Sequence, residues 1–366
     1  ALFGGGLLMA GFAPSMAWLV AGRIAQGLGS GMLGVAIYVA MGRLLPVLLR
    51  PRMFAAFAAA WVVPAIVGPG ITGLLVETLG WRWLFLLVAA LLVPCALMVV
   101  PPVARLPPPS AEGVAPAGAG RQHRLLWAAL AASGALWLHQ AARHPEAGQL
   151  PGVLLASILL GLTAMRLLPA GTLRAARGLP TVILLRGLLA AAFFCAEVFI
   201  PLWLTSERGW SITQAGLALT GGAVCWSLGS AIQARIEDPD HRLRWLRRGM
   251  LMVGIAIGCI TAIVLSGAPA WMLIPAWIVT GLGIGVSFPM LSVLTLQLSA
   301  EHEQGANTSA LQLSDALTTV SLMALSGAVF ATLHASHPTL AFAGMFGAAS
   351  LMGWVGAGLA GRCRVG

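Results

Sequence analysis

The sequence predicts an all-α polytopic membrane protein. Of its 366 residues, 59% are hydrophobic and 9% are charged, whereas a soluble domain carries about 25% charged residues. Apolar runs of about 18 to 25 residues recur along the whole chain, and each is long enough to cross the hydrocarbon layer as a helix. The basic residues also collect in alternate connections, a pattern that orients membrane helices.

Twelve apolar segments can be placed along the chain: 1–13, 17–42, 54–78, 81–103, 125–141, 151–168, 180–204, 212–234, 249–267, 270–298, 307–333 and 339–361. The first is too short to span a bilayer, which takes about 20 residues. Residues 101–124 are rich in proline and predict a cytoplasmic linker. The predicted organisation is a partial N-terminal bundle over 1–100, that linker, two extra helices over 125–168 and a six-helix bundle over 180–361.

The net charge of +10 rests on arginine, because the chain contains no lysine. If the spans alternate, one side collects most of the arginines: Arg43, Arg50, Arg52, Arg105, Arg121, Arg124, Arg166, Arg174, Arg177, Arg235, Arg242, Arg244, Arg247, Arg248, Arg362 and Arg364. The other side receives Arg82, Arg143 and Arg208. This asymmetry follows the positive-inside rule, so the charge sets topology and contacts anionic lipid. It does not indicate a nucleic-acid site.

One arginine lies inside an apolar helix, in the run Leu19-Val-Ala-Gly-Arg23-Ile-Ala-Gln26-Gly27-Leu28-Gly29-Ser30-Gly31. An arginine at the centre of a membrane helix costs about 2.5–3.5 kcal/mol, so Arg23 should face a partner or a wet cavity. Gln26, Gly27 and Gly31 share its side of the helix, and we expect these glycines to let another backbone come close.

The next apolar segment contains Pro64-Ala-Ile-Val-Gly68-Pro69-Gly70-Ile71-Thr72-Gly73. Pro64 and Pro69 leave the carbonyls of Ala60 and Ala65 without helical partners. We therefore predict a bent, locally weakened helix.

Together these two stretches resemble motifs B and C of the major facilitator superfamily, the second being the antiporter motif of its drug:proton exporters. Motif B (L-x-x-x-R-x-x-Q-G-x-G) is matched at Leu19, Arg23, Gln26, Gly27 and Gly29. Motif C (G-x-x-x-G-P-x-x-G-G) is matched at Gly68, Pro69 and Gly73, with Pro64 and Thr72 where glycines are usual. With Pro64 and Thr72 in these positions the helix is still expected to bend, but the glycines that would allow close helix packing are missing.

The resemblance implies a major facilitator fold, two six-helix bundles with two extra linker helices, and a fourteen-span complete protein of which this chain lacks the first two helices. It implies that Pro64, Gly68, Pro69 and Gly73 form a gate that closes the outer side. It also assigns Arg23 to the proton pathway. We expect the chain without those helices to be inactive.

An internal repeat supports two related halves. Thr280-Gly281-Leu282-Gly283-Ile284-Gly285 reproduces the spacing of residues 26–31, on another long apolar helix. These glycines follow no predicted strand, so they do not indicate a dinucleotide site. Helix packing explains them better, and repeated halves are how many transporters build one central site.

Two acids lie well inside predicted spans, Glu197 and Asp315. Helical spacing places Arg186, Phe193, Glu197 and Pro201 on one face. An intramembrane acid is by default a functional group, so we predict proton coupling by Arg23, Glu197 and Asp315. The alternative is that both acids are paired structural groups.

Asp315 belongs to a polar stripe at helical spacing: Thr308, Gln312, Asp315, Thr319 and Ser326. A polar stripe towards lipid is unfavourable, so this face should line a cavity. We predict that the substrate cavity includes Gln26, Phe193, Trp226, Gln312 and Thr319.

The sequence thus favours a non-enzymatic secondary transporter that exports small organic molecules, amphipathic or cationic, in exchange for protons by alternating access. We expect a monomeric multidrug-efflux protein in the inner membrane of a bacterium, conferring antibiotic resistance. No metal site, cofactor or nucleotide motif is predicted, and the proton gradient is the energy source. The alternatives are an integral-membrane enzyme acting on lipids, a superfamily importer of a metabolite, and a sensor or scaffold.

Overall fold

The computed structural model describes residues 1–44, 64, 67–68, 70–104, 119–143, 150–236, 238–300 and 303–364, and regular structure in these ranges is helical. The α-helices are α1 (Leu2–Gly11), α2 (Met16–Leu44), α3 (Gly70–Leu79), α4 (Arg82–Ala104), α5 (Ala119–Arg143), α6 (Leu150–Leu167), α7 (Leu179–Arg208), α8 (Ile212–Ala234), α9 (Pro239–Ser266), α10 (Leu273–Gln297), α11 (Gln304–Leu333) and α12 (Pro338–Leu359).

Seven of the described helices have the length and apolar composition to cross a membrane. They are α4 and α7 to α12. Shorter apolar helices occur at α1, at α3 and within α5 and α6. The chain is therefore a multi-pass membrane protein of the all-α class, as its composition predicts.

The ends of the long helices follow from local sequence. Pro180 stands in the first turn of α7, where its missing N–H would have had no helical partner. The same helix ends at Gly209, and α9 ends at Gly267, with φ of 67° and 69°. Glycine adopts this left-handed conformation without steric cost, so it is a common helix terminator.

α9 begins earlier than the apolar segment predicted at 249–267. The helix begins at Pro239, because the Asp238 carboxylate caps it by accepting a hydrogen bond of 2.9 Å from the His241 N–H. Hydrogen bonds from the backbone and ring of His241 lower the pKa of Asp238. The cap is thus formed above the ordinary aspartate pKa and weakens as pH falls through the lowered value.

Helices also extend into both ends of the segment predicted as a linker. α4 continues through Pro101 and Pro102 to Ala104, and α5 begins at Ala119. A proline near a helix end removes one hydrogen bond, but the remaining peptide groups still find partners most readily within the helix. Residues 105–118 lie outside the described ranges.

The chain divides into two compact units, the first comprising residues 1–116 with 211–217. Within it α1 packs against α2 and α4. A Cβ at Gly22 would lie 2.8 Å from the Ala10 nitrogen, and one at Gly29 would lie 2.6 Å from the Phe3 Cα. The close approach of α1 to α2 therefore depends on these two glycines.

The second unit comprises residues 117–210 and 218–366. α9 packs between α10 and α12, and α7 packs against α11 and α12. The pair formed by α5 and α6 joins the same unit through α11, where Leu138, Leu160 and Ala324 form one buried cluster. Gly178 and Arg362 are joined by a backbone hydrogen bond of 2.8 Å, which brings the start of α7 beside the end of α12.

The glycine repeat of α10 packs as the sequence predicted. A Cβ at Gly281 would collide with the Gly222 backbone on α8, and one at Gly285 with the Trp226 carbonyl. A Cβ at Gly283 would lie 2.6 Å from the carbonyl oxygen of Gly249 on α9. One G-x-G-x-G run thus lets α10 approach two neighbouring helices.

Candidate transport site

Arg186 on α7 and Asp315 on α11 form an ion pair inside the second unit. The Arg186 Nε donates to both carboxylate oxygens of Asp315, at N–O distances of 3.0 and 3.1 Å. The two side chains are 10% and 19% exposed. The sequence placed Arg186 on a shared face with Glu197, whereas the structure joins it to an acid on another helix.

The same guanidinium also binds α10. Arg186 Nη1 donates to the carbonyl oxygen of Phe288 at 2.8 Å and to the Ser292 hydroxyl at 2.7 Å. Its central carbon lies 3.2 Å from the centroid of the Phe288 ring, within the range of a cation–π contact. One cation therefore ties α7, α10 and α11 together.

Pro289 interrupts α10 beside this contact. Because proline has no N–H, the carbonyl of Gly285 loses its helical partner. The Ser230 hydroxyl of α8 donates to that carbonyl at 3.2 Å. The break in α10 is thus stabilised by α8.

Because this ion pair is buried, each of its two charges depends on the other for stability. Removing two charges from water costs several kcal/mol per ion, and their mutual attraction offsets that cost only when the geometry and the additional hydrogen bonds are good. Here Arg186 has four such bonds to three residues. Loss of either charge leaves the other buried without its counter-ion.

An aromatic cluster adjoins the pair and consists of Phe193, Phe194, Trp226, Trp277 and Phe288. Phe193 stacks on Trp277 with ring centroids 4.7 Å apart and meets the edge of Trp226 at 5.0 Å. Trp226 contacts Phe288, which lies against Arg186. Phe193 and Trp277 are fully packed, while Trp226 and Phe288 keep partly exposed rings.

Glu197 lies one turn beyond this cluster on α7 and is partly buried. Pro201 is accommodated within the helix, so the Glu197 carbonyl has lost its usual N–H partner. The backbone and the side chain are therefore both polar at this level of α7. The assignment of Glu197 to proton coupling stays a prediction.

The polar stripe of α11 is heterogeneous. The Asp315 carboxylate is paired with Arg186. The Thr319 hydroxyl is buried and has no hydrogen-bond partner among the described residues. Gln312 is exposed and Ser326 is buried. Phe193, Trp226 and Asp315 thus share one contiguous group through Phe288 and Arg186, whereas Gln312 points out of it.

Arg23 lies in the first unit and is exposed. Its Nη1 donates to Gln26 Oε1 at 2.6 Å on the same helix, and its guanidinium lies 5.9 Å from the Phe85 ring centroid. For Gly27 and Gly31, no described residue comes within 4 Å of a Cβ built there, so their close approach to a neighbouring backbone stays a prediction. Gly22 and Gly29 are the glycines that admit a neighbouring backbone, because α1 crosses α2 on the face that carries these two residues.

Motif C is described in part. Pro69 lies outside the described residues, while Pro64, Gly68 and Gly73 are helical. A Cβ at Gly73 would lie 2.6 Å from the Thr213 Cα, and the Glu77 carboxylate accepts hydrogen bonds from the Thr213 N–H and hydroxyl at 2.9 and 2.6 Å. The C-terminal part of the motif therefore packs against residues 211–217 of the same unit. For Gly68, no described residue comes within 4 Å of an added Cβ.

Sequence reasoning missed Phe288, Ser292 and Trp277 as members of the site. Their signal was weak, because an apolar helix with a serine and a proline is common in membranes. The available hint was Pro289, which predicts a local break in this apolar helix, although the carbonyl that it frees is that of Gly285.

A family model described as Major Facilitator Superfamily matches residues 1–196 and 182–360. The chain is 28% identical over 332 residues to a probable multidrug-efflux transporter of Mycobacterium tuberculosis, covering 85% of this chain and 68% of that protein. It is 23% identical over 354 residues to a methylenomycin A resistance protein of Bacillus subtilis, covering 90% of this chain and 72% of the relative.

Crystal structures of transporters share the fold. One peptide transporter superposes with a TM-score of 0.66 at 14% identity, covering 99% of this chain and 78% of that chain. A second structure of a peptide transporter, in complex with sulfate, gives a TM-score of 0.65 at 16% identity, covering 99% of this chain and 80% of that chain. With the family model matching nearly its whole length, the chain belongs to the Major Facilitator Superfamily of membrane transporters.

Proposed function

We propose that the complete protein is a fourteen-span, monomeric exporter of the bacterial inner membrane, which expels small amphipathic or cationic molecules in exchange for protons. The family and the names of its multidrug-efflux relatives support export of organic compounds. The partly exposed rings of Trp226 and Phe288 support an amphipathic, ring-containing substrate, since aromatic faces bind lipophilic cations. The driving energy is the proton gradient.

The ion pair between Arg186 and Asp315 is the observation that carries this proposal. Protonation of Asp315 removes the negative charge that holds Arg186, and so weakens the link from α7 to α11. The bonds from Arg186 to Phe288 and Ser292 on α10 do not depend on that proton. A proton therefore changes which helices are tied together, which is the local event that alternating access needs.

Glu197 supplies a second proton acceptor on α7, and Arg23 on α2 is the third residue proposed for proton coupling. A single proton that crosses 100 mV releases about 2.3 kcal/mol, which sustains an outward gradient of about fiftyfold for a neutral substrate. Coupling through these groups would account for that gradient.

Glu197→Gln is expected to abolish this concentrative export while leaving the protein folded, because glutamine keeps the shape of the side chain and cannot exchange a proton. The measurement is substrate efflux from proteoliposomes that contain the complete protein, with an imposed pH gradient. Asp315→Asn should lose export in the same assay.

Glu303→Gln is the matched control, since Glu303 is an exposed acid at the start of α11. It should export like wild type. Proton-coupled export that persists at the wild-type rate in Glu197→Gln removes this residue from the mechanism.

Gly73→Val is expected to disturb motif C far more than Gly68→Val. Gly73→Val places a branched side chain against the Thr213 backbone, whereas the side chain of Gly68→Val enters space that no described residue fills. If this contact keeps the outer gate closed, Gly73→Val should insert normally yet leak substrate down its gradient. Passive dye flux into liposomes without a pH gradient measures the leak, and equal flux in both variants would contradict the gate assignment.

A further inference from the structure

A cavity of about 390 Å³ lies where α7 and α9 end and α12 begins. It is lined by Trp203, Glu207, Arg208, Val264, Leu265, Ser266, Gly267 and Thr339. The volume falls within the usual range for small-molecule sites. Arg208 belongs to the arginine-poor side of the membrane, so the cavity opens at the outer boundary.

Arg208 is the cationic group of this cavity. Its guanidinium lies 4.8 Å from the Trp203 ring centroid, which holds it over an almost completely buried indole. Its Nε is buried and has no hydrogen-bond partner among the described residues. Because the Nε–H is closed to a ligand, the terminal N–H groups of this partly exposed guanidinium are the charge-assisted donors that a phosphate oxygen can reach.

The negative group is Glu207, which precedes Arg208 on the same helix. Consecutive residues of a helix do not face each other, and no salt bridge among the described residues includes either of them. The two charges are therefore held apart in one cavity instead of neutralising each other.

The helix ends reinforce this separation. The last turn of α9 ends at Ser266, and the carbonyl end of a helix favours a cation. In the first turn of α12 Pro338 has no N–H and the Ala341 N–H is bonded to the His337 carbonyl, so the N–H groups of Thr339 and Leu340 are the ones that favour an anion. Thr339 contributes to the lining from the first turn of α12. The cavity thus presents one anion-binding and one cation-binding part.

Exposed apolar side chains continue from the cavity along α9 and α12. Leu265 lines it, and Leu340, Leu351 and Val355 follow Thr339 along α12, all well exposed in the isolated chain. In a bilayer such surfaces contact acyl chains. A ligand with a zwitterionic head and two acyl tails matches both the cavity and this surface.

We propose that the cavity binds the headgroup of a phospholipid carrying a phosphodiester and a primary ammonium, of the phosphatidylethanolamine type. Arg208 and the start of α12 hold the phosphate. Glu207 and the end of α9 hold the ammonium, and the buried Trp203 ring holds the Arg208 guanidinium in place.

Native mass spectrometry of the delipidated complete protein tests this, with ethanolamine, glycerol and choline phospholipids of identical acyl chains. Arg208→Gln should weaken ethanolamine lipid binding about tenfold to hundredfold, the range expected for lost charged hydrogen bonds. Glu207→Gln should abolish the preference for ethanolamine over glycerol lipid while keeping glycerol lipid bound. Arg174→Gln, an exposed arginine far from the cavity in sequence, should behave as wild type.

Thr339→Glu provides an independent variant that should preserve folding, since a helix N-terminus favours an acid while the added charge repels phosphate. Wild-type binding in Arg208→Gln or in Thr339→Glu overturns the proposal. So does equal weakening by Arg174→Gln. Full competition by an equimolar amount of free phosphorylethanolamine overturns the lipid assignment in favour of a soluble ligand.

Discussion

Arg186→Gln should destabilise the second unit by about 3–5 kcal/mol, because it leaves the Asp315 carboxylate buried without its counter-ion. It also removes the bonds to Phe288 and Ser292. With Cys95, Cys225 and Cys259 replaced by serine, a thiol-reactive dye measures the thermal unfolding of the purified protein, since Cys195 and Cys363 are buried and become reactive only when the unit opens. Export should be lost as well.

The double variant Arg186→Gln/Asp315→Asn distinguishes the effect of breaking the ion pair from the effect of lost side-chain packing. With both charges gone, no uncompensated ion remains, so the double variant should be more stable than Arg186→Gln alone. It should still fail to export, because the proton-sensitive link is missing. Arg174→Gln, an exposed charge removal, should leave unfolding unchanged. Additive losses in the double variant would show that the two charges do not interact.

Gly281→Ala should destabilise the protein by about 1–3 kcal/mol or more, through a single added methyl group. An ideal Cβ at this position collides with the Gly222 carbonyl and lies 2.7 Å from the Gly222 Cα. Backbone atoms cannot rotate away as a side chain can, so α8 and α10 must separate. The same dye-monitored unfolding reports the loss.

Gly327→Ala is the matched control, because Gly327 lies inside α11 and no described residue comes within 4 Å of its added Cβ. Alanine is favoured over glycine within a helix by about 0.5–1 kcal/mol, so this variant should be unchanged or more stable. The two alanine substitutions are thus expected to have opposite signs. A stable Gly281→Ala protein would show that α8 and α10 do not pack as closely as described.

The local features of this chain could be predicted because they depend on neighbours in sequence. Long apolar runs form helices in any membrane, since each backbone group must find its partner within the segment. The packing of Gly281, Gly283 and Gly285 followed from small residues on an apolar helix. At Gly27 and Gly31 the same reasoning finds no neighbour among the described residues, because the spacing of glycines does not say where a neighbouring helix crosses.

The site depended on pairings that sequence spacing does not contain. Arg186 and Asp315 are 129 residues apart, and Glu197 was an equally reasonable neighbour on spacing alone. Phe288 enters the site through a main-chain carbonyl and a ring face, and neither has a sequence signature. Tertiary packing had to select among several polar residues on several helices.

The sequence by itself determined that this protein is helical and membrane-embedded, that it resembles major facilitator transporters, and which apolar segments form the centres of its described helices. Those properties arise from solvent and from local backbone hydrogen bonding, both of which act on each segment separately. Only the tertiary structure decided that Arg186 joins three helices, that Gly22 and Gly29 admit α1, and that Glu207 and Arg208 share a cavity. A partner in space is fixed by the crossing of packed helices, a property of the whole bundle.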